Sequence, residues 1–116
     1  MSDLLKSRNI KFMVAIYPDE MQVSQSQFET LVSKFALHRE DYNLNLAQDA
    51  LGRFLQSKQI PYLDMLDRFR AEEQKQDLYL WRNTHWNKAG NELAAETLFQ
   101  YLIKQPYDFN SPQPNP

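Results

Sequence analysis

Apolar positions along the chain switch between two spacings, and the switches mark the expected elements. Leu4 and Leu5, followed by Lys6-Ser7-Arg8-Asn9, read as the last turns of a helix leading into a largely apolar run over residues 10–17 that includes Phe12, Val14 and Ile16. Near-continuous hydrophobicity with Val and Ile predicts a strand covered on both faces. Pro18-Asp19-Glu20 ends it. Ser26-Gln27-Phe28-Glu29 then has capping-box spacing. Behind it Phe28, Leu31, Val32, Phe35 and Ala36 recur at helical intervals, which predicts an amphipathic helix. A second such pattern covers residues 43–57, with Leu44, Ala47, Leu51, Phe54 and Leu55 on the expected core stripe and Gly52 a tolerated weak point.

Gln59-Ile60-Pro61-Tyr62-Leu63 reads as a short strand, and Pro61 places it at a sheet edge or at the strand's start. Asp64 is a cap for a short helix carrying Leu66 and Phe69, with the polar residues 72–77 as its solvated exit loop. Leu78-Tyr79-Leu80-Trp81 is a third extended segment. Asn87 caps the last helix, whose stripe is Leu93, Ala94, Thr97, Leu98, Tyr101 and Leu102. Pro106, Pro112, Pro114 and Pro116 mark residues 105–116 as a flexible Pro-rich tail, leaving residues 1–104 as the folded unit. Strands alternating with helices predict an α/β fold around a parallel sheet. Two full strands are few for such a sheet, and the first is apolar enough to want a neighbour on each side, so further strands are expected outside this chain.

Composition narrows the choice of class. At 116 residues, 42% hydrophobic and 24% charged, the chain fits one globular domain. Thirteen basic against 15 acidic residues give a net charge of -2, which removes the field that drives nucleic-acid binding. With no cysteine and only His38 and His85, neither a thiol nucleophile nor a zinc site is expected, and no cofactor is implied. The first residues match neither a signal peptide nor a membrane-spanning helix, and a soluble chain is expected.

The candidate chemistry lies in Asn83-Thr84-His85-Trp86-Asn87-Lys88-Ala89-Gly90. A histidine here precedes a capped helix, whose positive end favours the neutral, proton-accepting imidazole and is also a place to hold an oxyanion. This block resembles the last motif of the SGNH (GDSL-type) hydrolases, closest to the branch related to alginate O-acetylation, in which Asp-x-His-Trp-Asn-x-x-Gly precedes the final helix. Phe12-Met13-Val14-Ala15-Ile16-Tyr17-Pro18 resembles that family's fourth strand, and Ile60-Pro61-Tyr62-Leu63-Asp64 its fifth. The resemblance spans roughly residues 3–104.

It implies a flavodoxin-like three-layer α/β/α sandwich and an esterase or O-acyltransferase acting on esters, with acetylated carbohydrate as a substrate class. His85 would be the general base for a serine hydroxyl. The family's nucleophile stands in a Gly-Asp-Ser block after its first strand, and no serine of this chain follows Gly-Asp. The chain is therefore read as the C-terminal half of such a domain, inactive alone. Asn83 stands where the family has its orienting aspartate; in a serine protease that exchange costs about 10⁴ in kcat, although Cys-His-Asn enzymes work with it. Asp77 is the one alternative acid. Trp86 and Asn87 are candidate binding residues, although Asn87 is foremost a cap and Trp86 suits core packing equally well. Trp81 is expected in the core, Arg82 and Lys88 in solvent, Gly90 at a close contact, and His38 at a solvated helix end without a role. Relatives of this type often work outside the cytoplasm, which leaves localisation open. The competing reading is a non-catalytic interaction module that pairs, with another copy or another chain, through an exposed strand edge.

Overall fold

The computed structural model describes residues 2–81 and 83–104, so Arg82 and the expected tail lie outside the described residues. Helix α1 (Ser2–Ser7) is closed by Asn9 at φ 55° and by a 2.8 Å bond from Ile10 N–H to the Leu5 carbonyl. Strand β1 (Val14–Ile16) is shorter than the apolar run around it, because its neighbour β2 (Tyr62–Asp64) has three residues to offer. The pair is parallel, with Val14 opposite Tyr62 and Ile16 opposite Asp64. Val14 N–H and Ile16 C=O turn toward β2, bonding Pro61 O at 3.0 Å and Met65 N at 3.2 Å, so the backbone groups of Ala15 face the opposite edge.

Two helices stand where one was expected after β1. Asp19 and Gln22 form the capping box of α2 (Glu20–Val23): Asp19 accepts Met21 N–H at 2.9 Å and donates its own N–H to Gln22 at 3.0 Å. Ser24 turns extended and α3 (Gln25–Lys34) begins. The anticipated Ser26 box is not made. Ser26 bonds Ser24 instead, and Glu29 pairs with Arg39 at 2.9 Å. A short 3₁₀ turn, Arg39–Asp41, follows with His38 exposed at its start.

Helix α4 (Leu46–Ser57) lies where expected but turns a different face inward: Gln48, Gly52 and Leu55 are buried, while Leu51 and Phe54 are 39% and 53% exposed. The cause is polar. Gln48 and Gln22 exchange amide bonds of 2.6 and 3.1 Å, and Gly52 admits the Tyr62 ring, whose hydroxyl oxygen a Cβ would meet at 3.1 Å. Gln59 at φ 53° closes α4 and delays the strand, and Asp64 then accepts Leu66 N–H at 2.9 Å to start α5 (Leu66–Glu73). Leu78-Tyr79-Leu80-Trp81 does not join the parallel pair: β3 (Tyr79–Leu80) forms an antiparallel hairpin with β4 (Asn83–Trp86). Helix α6 (Lys88–Lys104) follows at once. Val23, Met65, Leu66, Phe69, Leu78, Tyr79, Leu93 and Ala94 form the buried cluster. Among the described residues no helix is long and apolar enough to cross a membrane.

Residues 72 and 73, expected in a solvated loop, are the last turn of α5, and Glu73 turns inward to accept Leu78 N–H at 3.0 Å. Burial raises the Glu73 carboxyl above the ordinary range, against that bond, and Asp77 adds to the rise. Glu20 is raised too, first by burial and then by the charges of Glu73, Asp19 and Asp77. Both groups favour the protonated folded form, so the stability they contribute is complete at acid pH and fades as pH climbs through their folded values. Glu20→Gln is expected to raise the melting temperature near neutral pH by roughly 2–4 °C and to leave it unchanged at acid pH. Thermal melts at the two pH values check this; equal shifts at both would contradict it.

Candidate active site

One step along β3 is met by three along β4. Tyr79 pairs with Trp86 and Leu80 with Asn83, so Thr84 and His85 are the surplus residues of a β-bulge. A bulge frees side chains from the sheet's alternation and aims them anew, and here both Thr84 and His85 face solvent.

The Asn83 amide holds the imidazole. Its Oδ1 accepts the His85 backbone N–H at 3.1 Å and lies 2.5 Å from His85 Nδ1. An atom that accepts a backbone N–H is the oxygen, which fixes the amide's orientation. A bare oxygen has no proton to give, so the ring donates from Nδ1–H, and the neutral ring so held carries its lone pair on Nε2. That tautomer is the one a general base needs. Asp77 is not brought to the ring; its charge bears on Glu20 and Glu73, and its carbonyl accepts Asn87 Nδ2.

Beside the ring lies an open cleft of about 360 Å³, lined by Tyr17, Pro18, Thr84, His85, Trp86 and Asn91. Tyr17 and Pro18 follow the carboxyl end of β1, where open α/β sheets place their ligands. Buried Tyr79 ties this loop to the hairpin by donating its hydroxyl to Pro18 O at 3.0 Å, and burial pushes its phenol up, which keeps the donor protonated. Trp86 has one ring edge-on to Tyr17, centroids 5.1 Å apart, and another, Phe69, tilted beneath it at 5.2 Å. It is half core and half cleft wall. Gly90 lets the first turn of α6 close on this assembly, since a Cβ there would lie 2.3 Å from the Leu78 carbonyl and 3.0 Å from Trp86 Cβ. Asn87 accepts Gly90 N–H at 3.0 Å, the expected cap.

Two further residues stand apart. Trp81, expected in the core, is 78% exposed, because the β3–β4 hairpin puts it in the turn. Lys88 reaches Glu92 at 3.7 Å on the exposed face of α6. Tyr17, Thr84 and Asn91 were missed as cleft residues; position after a strand was the available signal for Tyr17, and the other two carried none.

Fold and site define an α/β domain that presents an oriented imidazole at a bulge beside a strand's carboxyl end. Over residues 1–114 the chain matches the family model of the SGNH hydrolase-like domain, acetyltransferase AlgX, and it belongs to that family. No curated protein and no solved structure matches it.

Proposed function

We propose that this chain is the base-bearing part of an SGNH-type esterase or O-acyltransferase, acting on ester substrates such as acetylated carbohydrate once a Gly-Asp-Ser segment is supplied. The observation that carries the reading is the Nδ1–H···Oδ1 contact of His85 with Asn83, which leaves Nε2 free to take a serine proton. In that reaction the serine oxygen attacks the acyl carbon as Nε2 removes its proton. His85 then returns the proton to the departing alkoxide, and water or a sugar hydroxyl takes the acyl group in a second round. On this reading β1 and β2 are inner strands of a three-layer sandwich, and the Ala15 edge receives the next strand. His85 and Asn83 are the catalytic pair, and Trp86 a wall for the substrate.

The test joins residues 1–116 to a Gly-Asp-Ser segment of the same family and follows a chromogenic acetyl ester. Hydrolysis by the joined polypeptide and none by the 116-residue chain is the expected result; no hydrolysis by either overturns it. A second reading, an interaction module pairing through that edge with another copy, draws on the outward-facing Ala15 backbone and on the uncharged Asn83. A chain that stays monomeric in light scattering at every concentration would exclude self-pairing.

A further inference from the structure

We propose that Asn87 is a positioning residue for the His85 imidazole, acting from two positions away. Among the described residues Thr84 and His85 have no ladder partners, so the bulge is held from its ends. Asn83 holds one end from within. At the other, Asn87 engages every polar group it has: its backbone N–H donates to Leu78 O at 3.0 Å, its Nδ2 to Asp77 O at 2.7 Å and Tyr79 O at 3.4 Å, its Oδ1 accepts Gly90 N–H, and its carbonyl accepts Asn91 N–H at 3.1 Å. One short side chain thereby joins three pieces of backbone: the approach to β3, the end of β4 and the first turn of α6.

Starting the helix requires only the oxygen, and Ser or Asp supplies one equally well. The amide nitrogen is what distinguishes Asn here. It fixes the Tyr79 and Trp86 pair, and with it the distance over which Asn83 must reach the ring, so the strut sets the tautomer of His85 without touching it. With these partners both N–H groups of the amide are committed to backbone carbonyls, which separates its role from that of Trp86.

The proposal rests on the reading of His85 as a base, yet it can be tested on the ring alone. Asn87→Ser keeps an oxygen for Gly90 N–H and loses the amide N–H groups bonded to Asp77 O and Tyr79 O; Asn87→Asp keeps a still better cap and, as a carboxylate, has no proton to donate. Long-range ¹H–¹⁵N spectra of the 116-residue chain report which ring nitrogen carries the proton. The expected result is a wild-type ring dominated by the Nδ1–H form and a loss of that dominance in both variants, with the amide protection of α6 retained. A ring spectrum unchanged from wild type in either folded variant overturns the proposal. Failure of ester hydrolysis in the joined polypeptide would sink the functional reading and leave this result standing.

Discussion

In a polypeptide that unites this chain with a Gly-Asp-Ser segment, His85→Ala is expected to lower kcat for acetyl ester hydrolysis by a factor on the order of 10⁴–10⁶, the loss seen when a triad base is removed. Asn83→Asp should act in the opposite direction. The Asn83 oxygen already accepts both the backbone N–H and Nδ1–H of His85, so a carboxylate inherits the geometry and adds the charge that imidazolium needs. The gain should be about 10²-fold or more in kcat. Pre-steady-state acetyl release checks this. Equal rates for His85→Ala and wild type would remove His85 from the chemistry.

Phe69→Ala should cost about 3–5 kcal/mol, a large share of the 5–15 kcal/mol that holds an ordinary domain together. Phe69 is fully buried and meets Tyr79 and Trp86 at centroid distances of 6.5 and 5.2 Å, so truncation opens a cavity under the ring that walls the cleft. Phe54→Ala is the matched control. Its ring is 53% exposed on α4, and its loss should stay near 0.5 kcal/mol. Urea denaturation of the two variants decides; similar midpoints would mean that α4 and α5 exchange roles as core helices in solution.

Short-range chemistry was legible in the sequence wherever one residue settles the local backbone. Pro18 ended the first strand, Asp64 bonded Leu66 N–H and Asn87 capped α6 as read. Long-range pairing was not legible. Nothing near Gln48 announces that an amide 26 residues away will bury it, and that bond turns Leu51 and Phe54 outward. The hairpin was hidden because its bulge breaks the alternation by which strands are recognised. Histidine and asparagine were visible as candidates, but their contact depends on the bulge. Tyr17 reached the cleft through the Tyr79 bond to Pro18, a link spanning 61 residues.

The buried cluster draws its members from α2, Met65 and α5, Leu78 and β3, and α6, and among the described residues takes none from α1, α3 or α4. Opening of the native state is therefore expected to divide by segment: amides of α5, β3 and α6 should exchange with solvent only when most of the cluster comes apart, and those of α1 and α4 at lower cost. His85 is anchored to the slow unit through Asn87 and Leu78. On this expectation His85 keeps its place while α1 and α4 open, and a segment that must rearrange to receive another can do so without disturbing the imidazole.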